Sequence, residues 1–316
     1  MPDSKAILNG RLLVVAFEGW NDAGDAASGA VAMLKDLLDL SPIIEVDAER
    51  YFDFQFNRPT VTTGDDGHRM LVWPSVVVYG PAPRARRVRG IARLDAGTDV
   101  DNGSNVFVLL GTEPSRNWRS FTAEIMATVR ANRITGIVML GAMLADVPHT
   151  RPISVFASSE NAELRKKLGL ERSAYEGPVG ILSVLGDAAE TAGIPTLAIW
   201  ASVPHYVHNA PSPKATLALI DRLEEVIGVK IPRGDLAVEA AAWETGIDAL
   251  ASDDEDMASY IEQLERARDT VDSPEASGEA IAQEFERYLR KRGDGKGDGR
   301  AGSPGPTPDD PWRPKD

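Results

Sequence analysis

Residues 14–28 read VVAFEGWNDAGDAAS, and their pattern decides the fold. Apolar residues run without a charge as far as Phe17, as in a strand covered on both faces. Gly19 and Gly24 then bracket a turn holding Trp20, Asn21 and Asp22, and an alanine-rich helix opens with Asp25 in its first turn. Working outward, the strand is expected over 12–17 and the helix over 22–40. Ala26, Ala27, Ala30, Met33, Leu34, Leu37 and Leu38 fall on one helical face, and Ser41-Pro42 stops it. A second strand over 43–46 completes a strand–helix–strand unit, whose right-handed crossover implies a parallel pair.

The alternation continues after a β-rich interval. Strands are expected in TVTT, RMLVWP, SVVVYG and NVFVLLGTEP between 60 and 114, separated by turn clusters such as GDDG at 64–67. The basic run PRARRVRG at 83–90 is expected on a solvated face or loop. Helices over 118–131, 160–168, 180–192 and 214–227 then alternate with strands over 136–143, 152–158 and 196–202. The fold class is therefore α/β: a three-layer sandwich with a mostly parallel, mixed sheet. Beyond Arg233 the pattern changes to helices over 235–250, 256–271 and 278–292, with 16 acidic and 6 basic residues between 234 and 292. The division is an α/β domain at 1–232, an acidic helical extension at 233–292, and a disordered tail at 293–316 rich in Gly, Pro and Asp.

Composition narrows the chemistry. The chain has 316 residues, 43% of them hydrophobic, and no cysteine. Disulfides, thiolate nucleophiles and Cys-ligated zinc are excluded. No apolar run reaches the about 18–20 residues that span a bilayer, and the N-terminus lacks an export signal, so the cytoplasm is the expected location. A formal charge of −14 disfavours nucleic acid and anionic membrane as partners.

Three polar loops follow strands, at the edge where open α/β sheets bind ligands. The first carries Glu18, Trp20, Asn21, Asp22 and Asp25. Its G-x4-G spacing lacks the Lys-Ser/Thr of a phosphate loop, and G-x-G-x-x-G is absent. Asp22 and Asp25 are read first as helix-capping acids, with cation or ligand binding as the minority reading. The second, LADVPHTRP at 144–152, is read first as a Pro-bounded loop locked by a His and Arg hydrogen-bond network; the functional reading offers Asp146 and His149 as an acid-base pair and Arg151 as an anion clamp. The third, SVPHYVHNAPSP at 202–213, holds His205, Tyr206 and His208; Pro204 argues against a helix aiming both imidazoles at zinc, so packing against a cleft or another chain is expected. No G-x-S-x-G elbow occurs, SSE at 158–160 reads as a helix cap, and Ser183 falls on a helix.

In this order, FEGWNDAGDAAS, LGAMLADVPHTRP, YEGPVGILSVLGDAAETAGIPTLAIWASVPHYV and PSPKATLALIDRLEEVIG resemble the proteasome assembly chaperone 2 family in its actinobacterial form. The resemblance covers roughly residues 10–232. It implies a fold similar to nucleoside phosphorylases and peptidyl-tRNA hydrolases, and protein partners such as proteasome α subunits. Relatives often end in hydrophobic-Tyr-X, whereas this chain ends RPKD, so docking through such a tail is not expected.

The expected function is non-enzymatic: a self-associating, protein-binding or assembly-chaperone-like protein. The alternative is a small-molecule binding protein or enzyme, nucleoside- or phosphate-directed, with a pocket at the carboxyl edge of the sheet. Expected partners are further copies of the chain, a trimer among the candidate forms, and proteasome subunits or other proteins; no cofactor and no metal is expected.

Overall fold

The computed structural model describes residues 8, 10–64, 66–81, 105–170, 172–173, 175–207 and 211–271. The basic run at 83–90, His208, the helix expected over 278–292 and the tail at 293–316 lie outside these. Nine strands and eight α-helices are described: β1 Leu12–Glu18, α1 Ala26–Leu37, β2 Ser41–Glu45, α2 Ala48–Tyr51, β3 Thr60–Thr63, β4 Arg69–Val72, β5 Val76–Gly80, β6 Val106–Thr112, α3 Trp118–Ala131, β7 Gly136–Ala145, β8 Val155–Ser158, α4 Ala162–Leu168, α5 Ile181–Thr191, β9 Thr196–Pro204, α6 Pro213–Ile227, α7 Leu236–Ser252 and α8 Glu255–Val271.

Seven strands form one mixed sheet in the order β2-β5-β6-β1-β7-β9-β8. The central four, β6, β1, β7 and β9, are mutually parallel, and the outer strands run antiparallel to their inner neighbours. This corrects one expectation: β1 and β2 are not side by side. β1 lies between β6 and β7, while β2 pairs only with β5 at the sheet edge, with a register shift between Pro42 and Ile44. Proline has no N–H for a central ladder, so Pro42 belongs on an edge.

Alternation along β1 builds the layers. Leu12, Val14 and Ala16 face α1 and α6, while Leu13, Val15 and Phe17 face α3 and α5, and all six are buried. The second layer includes an edge-to-face ring stack of Phe17, Phe121 and Tyr51, with centroids 5.9 and 5.4 Å apart. The long helices that flank the sheet bury an i, i+3, i+4 face against it, for example Leu219, Ile220 and Leu223 of α6.

The two acidic helices fold back on the α/β layers, α7 against α6 and α8 against α7. Glu224 fixes the connection. It accepts from the Ile231 N–H at 2.6 Å and from Arg233 Nη2 at 2.9 Å. Burial opposes its ionisation, but bonds from Arg233, Ile231 and Lys230 outweigh it and pull its pKa down to about 2. Among the described residues, no helix is long and apolar enough to cross a membrane.

β3 and β4 form a separate two-stranded ribbon outside the main sheet. Val61 lies opposite Leu71 on one of its faces, and Met70 and Val72 lie on the other; about half of each side chain is exposed.

Candidate functional site

The three polar loops do leave the same edge, the carboxyl ends of β1, β7 and β9. From there they diverge to two separate environments.

The first loop turns through a 3-10 segment, Ala23–Asp25, before α1 begins at Ala26, four residues later than the sequence pattern implies. Asp22 acts as the cap. Its Oδ1 accepts from the Ala27 N–H at 2.6 Å and the Ser28 N–H at 3.2 Å. Asp25 does not: its side chain makes no cap bond, and its backbone sits at a φ of 50°. Burial raises the Asp22 pKa to about 6 against the lowering effect of these hydrogen bonds. A bridge between Asp22 and Ala142, with the Ala142 N–H donating to the Asn21 carbonyl at 2.8 Å, ties the turn to β7. Glu18 is exposed and accepts from Thr112 Oγ1 at 3.0 Å.

Asn21 points to the other side of the sheet. Its Nδ2 donates to Glu113 Oε1 at 2.9 Å, and the same oxygen accepts the Ile181 N–H at the start of α5, also at 2.9 Å. The contact needs Gly180, since a Cβ there would sit 2.4 Å from Asn21 Oδ1.

Beside Asn21 opens a cavity of about 510 Å³ between α5, the 172–180 segment and the β7-β9-β8 end of the sheet. Met139, Met143, Ala198 and Trp200 line it from the sheet, and Ser183, Gly186, Asp187 and Glu190 from α5. Trp20, Tyr175, Pro178 and Val179 line it with Ser158–Glu160 and Arg172. Gly141 leaves the space that the Trp200 ring fills, because a Cβ there would lie 2.5 Å from the indole.

The second and third loops lie under the acidic helices. His149 is fully buried. Its backbone N–H donates to Tyr206 Oη at 2.7 Å, its Nδ1 lies 2.9 Å from the same oxygen, and its Nε2 lies 3.0 Å from Asp248 Oδ1 on α7. A hydroxyl proton donated to Nδ1 and an Nε2–H donated to Asp248 satisfy every partner. Lys214 Nζ donates to the His149 carbonyl at 2.6 Å and also bonds Glu244 on α7. Arg151 grips α8 with two parallel bonds to Asp269, at 2.8 and 2.9 Å, and a third to Glu265 at 3.2 Å. The bond to Asp269 is the chief cause of the raised Arg151 pKa and of the lowered one at Asp269. Thr150 also bonds Glu265, and Arg268 donates to Ser154 Oγ at 2.6 Å. Asp146 lies 3.4 Å from His205 Nδ1, and the His205, Tyr206 and Tyr260 rings meet edge to face. Burial, then Asp146, raises the Tyr260 pKa; burial pushes Tyr206 up to about 12.

Of the ten residues singled out from the sequence, Trp20 and Asn21 line the cavity. Asp22 serves α1, Glu18 and Asp25 are exposed, and Asp146, His149, Arg151, His205 and Tyr206 form the seam with α7 and α8. Asp146 and His149 have different partners, and Arg151, read as an anion clamp, holds carboxylates of its own chain. The SSE cap is also displaced: α4 is capped by Asn161, whose side chain accepts from the Leu164 N–H. Sequence reasoning passed over Glu113, Asp187 and Trp200. Glu113 had a signal, since it is the first charged residue after β6, at the same sheet edge as Glu18. Among the described residues, no three His, Asp or Glu side chains gather as a metal ligand set.

The sequence pattern of the PAC2 family matches residues 16–251, more than half of the chain. The chain belongs to the PAC2 family. A PAC2 family protein from Streptomyces avermitilis is 42% identical, with a TM-score of 0.66, over 79% of this chain and 99% of that one. A proteasome-assembly chaperone homologue from Mycobacterium tuberculosis is 41% identical, with a TM-score of 0.66 and the same two coverages. An archaeal homologue of proteasome-assembly chaperone from Pyrococcus furiosus shares 17% identity over 83% of this chain and 96% of that one, with a TM-score of 0.51, a likeness of fold alone. No curated protein matches. The PAC2 match runs through α7 and ends inside it, so the first acidic helix falls within the family pattern.

Proposed function

We propose that this chain is a non-enzymatic, protein-binding member of the PAC2 family, assembly-chaperone-like in action, that associates with itself. The observation that carries the reading is the PAC2 match over 16–251. The exposed β3-β4 ribbon supplies a surface for association. An isolated two-stranded ribbon is marginal in water, and this one carries exposed Val61, Leu71, Met70 and Val72 on its two faces. A second copy of the chain is the occupant we assign to it, because soluble chains associate mostly as closed, symmetric homo-oligomers. Proteasome subunits are the proposed external partners, supported by the name of the 41% identical Mycobacterium tuberculosis relative. The proposed place of action is the cytoplasm, and the proposed arm is the acidic extension, with α7 and α8 docked on the α/β layers.

Two measurements test this. The full chain should co-purify with proteasome α subunits and speed their assembly into rings. In sedimentation it should run as an oligomer that the paired change Val61→Glu and Leu71→Glu dissociates without altering the far-ultraviolet spectrum. Recovery of the chain alone with unchanged ring assembly would remove the partner assignment, and a monomeric wild type would remove self-association.

A further inference from the structure

The cavity beside α5 has no part in the protein-binding reading, yet its walls specify a ligand chemistry. On the sheet side, Met139, Met143 and Trp200 offer thioether and indole surface suited to a planar or apolar body.

The polar lining is acidic. Among the described residues that line it, Glu160, Asp187 and Glu190 face a single guanidinium, Arg172, which bonds Glu160 at 2.8 Å. Glu190 is occupied by the Thr196 N–H and hydroxyl, at 2.6 and 2.9 Å, and by Asn161 Nδ2 at 3.3 Å. Asp187, one turn along α5 from Ser183, is exposed and has no hydrogen bond or ion pair among the described residues. The start of α5, where an anionic ligand would ordinarily sit, already holds the Glu113 carboxylate through the Ile181 N–H. A phosphate or carboxylate entering here meets negative charge; an ammonium group meets Asp187 and aromatic faces.

We infer that this cavity binds a small organic cation, an ammonium group on a planar or apolar body, with the ammonium at Asp187 and the body against Met139 and Trp200. The phosphate-directed alternative gives way to an amine on this evidence of charge. Titration calorimetry of the full chain with tryptamine, and with indole-3-acetate as its anionic counterpart, tests it. Tryptamine should bind, and indole-3-acetate should bind at least about tenfold more weakly. Asp187→Asn should weaken tryptamine binding by about tenfold, and Ser183→Trp, which fills the cavity from α5, should abolish it. Both positions are exposed on a helix, so thermal melting should be unchanged. No heat with tryptamine, equal affinity for the two probes, or unaltered tryptamine binding in Asp187→Asn would overturn the inference. The ribbon variant should bind tryptamine like the wild type, so failure here stands apart from failure of the association reading.

Discussion

Two stretches of one sheet edge have opposite fates. On the α5 face, over β7, β9 and β8, the edge opens into a cavity with apolar floor and acidic walls; on the α6 face it is sealed by α7 and α8. Both stretches consist of polar loops leaving parallel strands. The difference lies in what lies opposite: acidic side chains line the open side, while Asp248, Glu244, Glu265 and Asp269 reach across to His149, Lys214, Thr150 and Arg151 on the sealed side. The outer helix is held chiefly by polar contacts, since α8 buries only Ile261 and Leu264, while α7 buries Leu236, Ala240, Ile247 and Ala251. A helix pair held this way is expected to open below the global unfolding free energy, unlike the sheet beneath it.

The sharpest way to break the contrast is to remove the buried imidazole. His149→Ala takes away the ring that bonds both Tyr206 and Asp248, and leaves a void beside Tyr206. The expected loss is about 3 kcal/mol in chemical denaturation, with α7 and α8 losing hydrogen-exchange protection first. An effect under about 0.5 kcal/mol would mean that the seam does not depend on this residue.

A smaller effect is expected at the turn that joins the two stretches. Asp22 has a folded pKa of about 6 against an ordinary value of 3.8. Between these values the folded chain holds more of the proton than the unfolded one, so this group's contribution to stability falls as pH rises through the interval and is fully unfavourable above it. Asp22→Asn keeps a capping oxygen and removes the titration. Relative to that variant, the wild type should lose about 2 kcal/mol between about pH 4 and pH 7 in urea unfolding. Parallel stability curves for the two proteins would show that Asp22 ionises freely.

Much of this division is hidden from the sequence for a physical reason. Strand β1, the turn and α1 are legible because burial on two faces and a helical apolar stripe each leave a local period in the chain. The Asp22 cap is legible too, although Asp25 looks equally suited and fails because its backbone is left-handed. Neighbours in the sheet are not local: nothing near β2 says that β6 and β7 flank β1, and Pro42 reads only as the end of a helix. His149 and Asp248 meet across 99 residues, so His149 looks as much a catalytic base as a clasp. Ser183, unremarkable as a helical serine, lines the cavity only because β9 brings Trp200 beneath α5.

Hydrogen exchange in Arg151→Ala tests the divided edge most directly, because this one side chain bonds both Asp269 and Glu265 of α8. The predicted result is faster exchange throughout α8 and the second half of α7, with α5, β7 and β9 unchanged. Unaltered exchange in α8, or acceleration spread evenly through the sheet, would contradict it.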